Sequence, residues 1–171
     1  MNLFDFAMEM EEDGKAYYEK LALQTSHPGL QTIFRYLARD EQKHFEVFRA
    51  LKASGGSPDM QDSDIIATAK NVFEDLPGQE ETLKSLEDDL AAYRHAMKLE
   101  SDSFRLYEDA AGKEPNPATR KLLMRIAGEE HKHFTVLENL YQFFNAPNPY
   151  LAWGEFSNLG EFRQFGRKVD E

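Results

Sequence analysis

Apolar residues recur at three- and four-residue spacing through four long stretches of this chain, the period of an amphipathic helix. The first stretch runs from about Asn2 to Gln24 and stops at SHPG; the second runs from about Leu30 to Ala53 and stops at SGGSPD. The third runs from about Glu80 to Ala111, ahead of GKEPNP, and the fourth from about Pro117 to Phe144, ahead of NAPNP. Proline and glycine after each stretch are helix stop signals. Short breaks after the first and third helices fold each pair into an antiparallel hairpin. The connection from 54 to about 79 is long enough to run the length of a bundle, with a short helix expected at DIIATAKNVFEDL. The pattern predicts an all-α four-helix bundle over 1–146, two hairpins joined by one long crossover.

Residues 147–171 break the periodicity. They are rich in aromatics and hold the only tryptophan, Trp153. Such a tail is expected to dock on its own bundle or on a sister subunit. Together with the apolar crossover DIIATA, it predicts a homodimer or larger assembly.

The two halves of the chain repeat one another. A shift of 89 residues places Ala7 on Ala96, Met8 on Met97, Glu11 on Glu100, Tyr18 on Tyr107 and Glu19 on Glu108. The same shift places Ala38 on Ala127, Glu41 on Glu130, Lys43 on Lys132, His44 on His133 and Phe45 on Phe134. One offset held across two helices and their loop points to a duplicated hairpin. Within GEEHKHF, at 128–134, the repeat selects Glu130 and His133 and gives Glu129 and His131 no glutamate or histidine mate.

Helical geometry makes the same selection. Glu11 falls amid Phe4, Ala7, Met8 and Tyr18 on the apolar stripe of the first helix, and Glu12 does not. Glu41 and His44 share a face with Leu37, Ala38 and Phe48; Glu100 lies between Tyr93, Ala96, Ser103 and Tyr107. Glu130 and His133 sit with Ile126, Ala127 and Leu137. Asp40, Glu129 and His131 are expected on other faces, about 100° away. His27, His95 and His131 are read as bystanders.

Four carboxylates in an apolar seam need partners or protons, and no lysine or arginine recurs on these stripes to supply them. Two divalent cations would neutralise all four and leave two imidazoles as further ligands. One glutamate from each of two helices, with Glu-x-x-His from each of the other two, is the ligand pattern of dinuclear carboxylate bundles. Mixed oxygen and imidazole donors suit iron or manganese, and zinc can also occupy such sites. The candidate ligands are therefore Glu11, Glu41, His44, Glu100, Glu130 and His133. Tyr18 and Tyr107, two turns along from Glu11 and Glu100, either hydrogen-bond a ligand carboxylate or are core tyrosines satisfied elsewhere.

Composition narrows the chemistry. The 171 residues are 41% apolar and 30% charged, as in ordinary globular domains. A net charge of −11 and a pI near 4.9 argue against nucleic-acid binding. The absence of cysteine excludes disulfides, thiolate metal sites and iron–sulfur centres. The start, MNLFDFAMEMEEDG, has neither the basic residues nor the apolar run of an export signal, and no stretch approaches a membrane span. A cytoplasmic protein is expected.

Over about residues 3 to 144 the arrangement resembles the rubrerythrin-like branch of the ferritin-like superfamily. The resemblance rests on Glu11, DEQKH with Glu41 and His44, Glu100, GEEHKH with Glu130 and His133, and the paired tyrosines. It implies a ferritin-like bundle holding two iron ions, Glu41 and Glu130 bridging them, Glu11 and Glu100 binding one each, and His44 and His133 as terminal ligands. It also implies reduction of peroxide or dioxygen, with ferroxidase activity or a metal-binding interaction role as alternatives. Typical rubrerythrins add a rubredoxin domain with four cysteines; none is present, so an external electron-donor protein is expected. They also carry a further glutamate one turn away on the third helix, where this chain has Met97 and Ser103.

Overall fold

The computed structural model describes residues 2–54, 56, 58–76 and 90–145. Among them are five helices: α1 Leu3–Gln24, α2 Pro28–Ser54, α3 Ile65–Asp75, α4 Leu90–Lys113 and α5 Pro117–Asn145. No helix among the described residues is long and apolar enough to cross a membrane. The expected start of the third long helix near Glu80 and the tail 147–171 lie outside the described residues.

Local chemistry sets the boundaries. The Asn2 side chain caps α1 by accepting from the Asp5 amide at 2.9 Å. α2 and α5 both begin at proline, whose missing amide proton costs nothing in a first turn. The Asn116 side chain accepts from Ala118 and Thr119 at 2.9 and 3.1 Å to cap α5. At α2 the cap is a histidine: Nδ1 of His27 accepts from the amides of Gly29 and Leu30 at 3.1 and 3.3 Å. His27 thus stays apart from the metal candidates, and its work is to start a helix.

α1 pairs with α2, and α4 with α5. The crossover helix α3 buries Ile65, Ala69 and Phe73 against this bundle. It sits so close to the start of α2 that a Cβ on Gly29 would meet Val72 at 2.6 Å. Of the DIIATA stretch, Ile65 and Ala69 are buried by the chain itself, Ile66 is half-buried and Ala67 is exposed.

The core is in two parts. One gathers Leu21, Phe34, Leu37, Tyr93 and Leu137 with α3; the other gathers Ala7, Phe48, Leu51, Leu123 and Ile126. Rings of Phe34 and Tyr93 stack at 5.9 Å in the first part, and Phe48 lies 5.1 Å from Tyr107 in the second. Between these apolar blocks lies a thin polar layer.

Candidate metal centre

The polar layer is the six-residue set picked out by periodicity. Glu11, Glu41, His44, Glu100, Glu130 and His133 come from the four long helices, and none is more than 4% exposed. They form two overlapping groups, Glu11, Glu41, His44 and Glu130, and Glu41, Glu100, Glu130 and His133, each with donor atoms within 4.8 Å of one another. Glu41 and Glu130 belong to both.

The duplicated hairpins meet here with near twofold symmetry. Nδ1 of His44 lies 2.8 Å from Glu130 Oε1 and 3.4 Å from Glu11 Oε2. Nδ1 of His133 lies 3.0 Å from Glu41 Oε1 and 3.4 Å from Glu100 Oε2. Yet each of these six atoms is buried without a hydrogen-bond partner of acceptable geometry. Atoms this close that do not point at one another point at a shared centre. Unsatisfied buried polar atoms are costly, and six of them, one per predicted ligand, fit the donor set of a bound metal pair.

The remaining atoms of these side chains are tethered outward. Tyr18 donates its hydroxyl to Glu100 Oε1, and Tyr107 donates to Glu11 Oε1. Each tyrosine reaches across to the glutamate of the other hairpin and leaves Oε2 facing inward. The sequence left their role open between this and core packing; the hydroxyls are bound to the site's carboxylates.

An outer layer faces the histidines. Nε2 of His44 lies 2.7 Å from Glu129 Oε2, and Nε2 of His133 lies 3.0 Å from Asp40 Oδ2. Lys43 bridges the two outer carboxylates, at 2.6 Å from Glu129 and 3.3 Å from Asp40. The crossover closes over them: Ser63 gives its hydroxyl to Asp40, and its amide donates to Glu129 Oε1 at 2.8 Å. A carboxylate on the far nitrogen fixes a histidine's tautomer and ring direction. Here it directs Nδ1 inward.

A family profile described as rubrerythrin matches residues 2–141. The chain belongs to the rubrerythrin family. No match is found among curated proteins or solved structures. Rubrerythrins are di-iron proteins, typically oxidoreductases, and the buried carboxylate and histidine cluster of this member could hold metal.

Sequence periodicity placed Asp40 and Glu129 off the ligand face of their helices, and they do lie on another flank, but that flank is part of the site. Both are buried and reach the histidines. A wheel drawn for one contact face omits the flank that the crossover covers. A signal was present: Asp40 plus 89 is Glu129, a carboxylate matched to a carboxylate although not to a glutamate. His131 is as expected outside the cluster, its ring 5.7 Å from Phe104 and its pKa lowered by burial to about 4. His95 is exposed beside Tyr17, at 5.0 Å between rings.

Charge in this rubrerythrin site is unevenly shared. Burial, then the negative charge of neighbouring glutamates, pushes Glu41 and Glu130 well above the usual carboxylate range. Glu11 shifts the other way. Burial opposes its ionisation but is outweighed by the His44 charge and by hydrogen bonds, so its pKa is lowered. Burial likewise opposes ionisation of Glu129, and His44 and Lys43 outweigh it, holding it near 2. Asp40 is lowered too, burial being outweighed by His133, Ser63 and Lys43. Both histidines rise: burial disfavours their charge, but the surrounding carboxylates prevail.

Off the ligand face, Glu129 would be dispensable for metal occupancy; its contact with His44 reverses that. Without Glu129, the His44 ring loses its outer anchor, and metal affinity should fall by about 10–100-fold. Glu12→Ala, on an exposed face, should bind as wild type. Competitive titration against a metal-chelating indicator measures both. Equal affinities for wild type and Glu129→Ala would contradict the orienting role.

Proposed function

We propose that the chain is a non-haem di-iron oxidoreductase that reduces peroxide, or dioxygen, with electrons from a separate donor protein. The observation that carries this reading is the pair of four-donor groups sharing Glu41 and Glu130. Four carboxylates against two divalent cations leave the buried ligand set close to neutral. Iron is the resident metal in this reading, and manganese or zinc are possible substitutes.

A pair of ferrous ions, when bound, would supply the two electrons needed to convert one peroxide, with two protons, to two waters. The chain does the rest. Glu41 and Glu130 serve both metal positions, Glu11 and His44 serve one, and Glu100 and His133 serve the other. Tyr18 and Tyr107, their pKa values raised first by burial and then by adjacent carboxylates, remain protonated donors to Glu100 and Glu11. The apolar blocks on either side keep bulk water out, which strengthens every charge interaction inside.

Anaerobic mixing of reduced, iron-loaded protein with hydrogen peroxide tests the reading. The expected result is rapid oxidation, consuming one peroxide per pair of ferrous ions with iron retained and no net uptake. Accumulation of many irons per chain would replace this reading with ferroxidase and storage. Neither reaction would leave a metal-binding interaction protein.

A further inference from the structure

Three flanks of the donor cluster are closed. Apolar blocks lie beyond Tyr18 on one side and Tyr107 on the other. Toward α2 and α5, Asp40, Glu129, Lys43 and Ser63 form a hydrogen-bonded cover. The flank between α1 and α4 is different. There a cavity of about 80 Å³ has Glu41, Glu100 and Glu130 at its inner end. Half-buried Met10 and Leu99 and exposed Asp13 line its outer part. A water molecule takes about 30 Å³ of liquid, so there is room for a few molecules of that size.

Two small residues account for this space. Gly14 and Ser103 line the cavity, and each stands one turn beyond the glutamate of its own helix, Glu11 and Glu100. They are mates under the 89-residue repeat. The room at Gly14 is already spent on the site: a Cβ there would lie 3.0 Å from Glu41 Oε2. Ser103 faces the same cavity with a short polar side chain and is itself buried. A longer residue at 103 would fill the passage without being built on a ligand-bearing position.

We infer that this cavity is the route by which a small uncharged oxidant reaches the cluster, and that Ser103 sets its width. The inference rests on the metal-site reading above. Among the described residues the lining includes no lysine or arginine, and the carboxylate it has outside the cluster, exposed Asp13, sits at the mouth. Such a passage discourages anions and leaves neutral molecules such as hydrogen peroxide or dioxygen unopposed. The cavity ends on Glu41, Glu100 and Glu130, three of the residues that would hold the metals, so a guest reaching its inner end arrives at the metal positions.

The test uses nitric oxide, a neutral diatomic probe, and reduced iron-loaded protein in a stopped-flow spectrometer. It reads binding and not turnover. Ser103→Leu should retain the wild-type iron content and bind nitric oxide at least an order of magnitude more slowly. Ser103→Ala should bind it at the wild-type rate or faster. Leu99→Trp, which narrows the passage from its outer part, should also slow binding, and it decides the matter should Ser103→Leu lose iron. Wild-type association rates in iron-replete Ser103→Leu, or in Leu99→Trp alone in that event, would overturn the route. A wild-type protein that takes up no iron would overturn the metal reading itself, and the route with it.

Discussion

Glu130→Ala is expected to lose both metals together. Glu130 belongs to both donor groups, so its removal takes one ligand from each position and one of the four charges that balance the pair. Glu130 is only 1% exposed, and water entering by the cavity it lines would supply a ligand atom but not the missing charge. Glu41→Ala should behave alike. Glu11→Ala, by contrast, removes a ligand from one group and should retain part of the metal. Elemental analysis after dialysis against dilute metal separates these cases. A Glu130→Ala protein that keeps a full metal complement would contradict the shared role.

Apo and metal-loaded protein are expected to respond oppositely to pH. In the apo form Glu41, Glu130, His44 and His133 have raised folded pKa values. Their folded state binds more protons than the unfolded chain, whose reference values are about 4.3 for Glu and 6.5 for His. The stability they contribute is complete below those values and is lost as pH rises through the folded ones. Glu11, Asp40 and Glu129 are lowered and act in the other sense. Their contribution is present above the unfolded carboxylate range and disappears only on further acidification. Between about pH 5 and pH 7.5 the raised groups decide, and the apo protein should melt at a lower temperature at the higher pH. Bound metal holds its ligands deprotonated, and protons compete with it. The loaded protein should therefore melt at a higher temperature at the higher pH. Thermal melts of both forms at the two pH values check the signs; shifts in one direction of similar size would contradict a metal site at these residues.

Much of this arrangement was legible from residue spacing because a helix converts spacing into direction. Glu11, Glu41, His44, Glu100, Glu130 and His133 each stand amid apolar neighbours three and four residues away, and those neighbours had to face a core. The short crossover helix was legible at DIIATAKNVFEDL for the same reason. What spacing does not carry is which second element covers a helix flank. The part played by Asp40 and Glu129 was hidden because nothing local to α2 or α5 announces that Ser63 will close over them. The direction of the tyrosines was hidden similarly: Tyr18 lies on α1 with Glu11, yet its hydroxyl serves Glu100 across the bundle. The lowered pKa of Glu11 depends on His44 and Tyr107, partners from two other helices, so counting carboxylates alone would give it the wrong sign.

The central claim is that two metals share one buried carboxylate layer, and metal-soaked crystals test it directly. Anomalous difference maps collected at the absorption edge of the loaded metal, iron or manganese, should show two peaks in the layer between the apolar blocks. One peak should contact Glu11 and His44, the other Glu100 and His133, and both should contact Glu41 and Glu130. A single peak, or fully loaded crystals with none among these six residues, would contradict it.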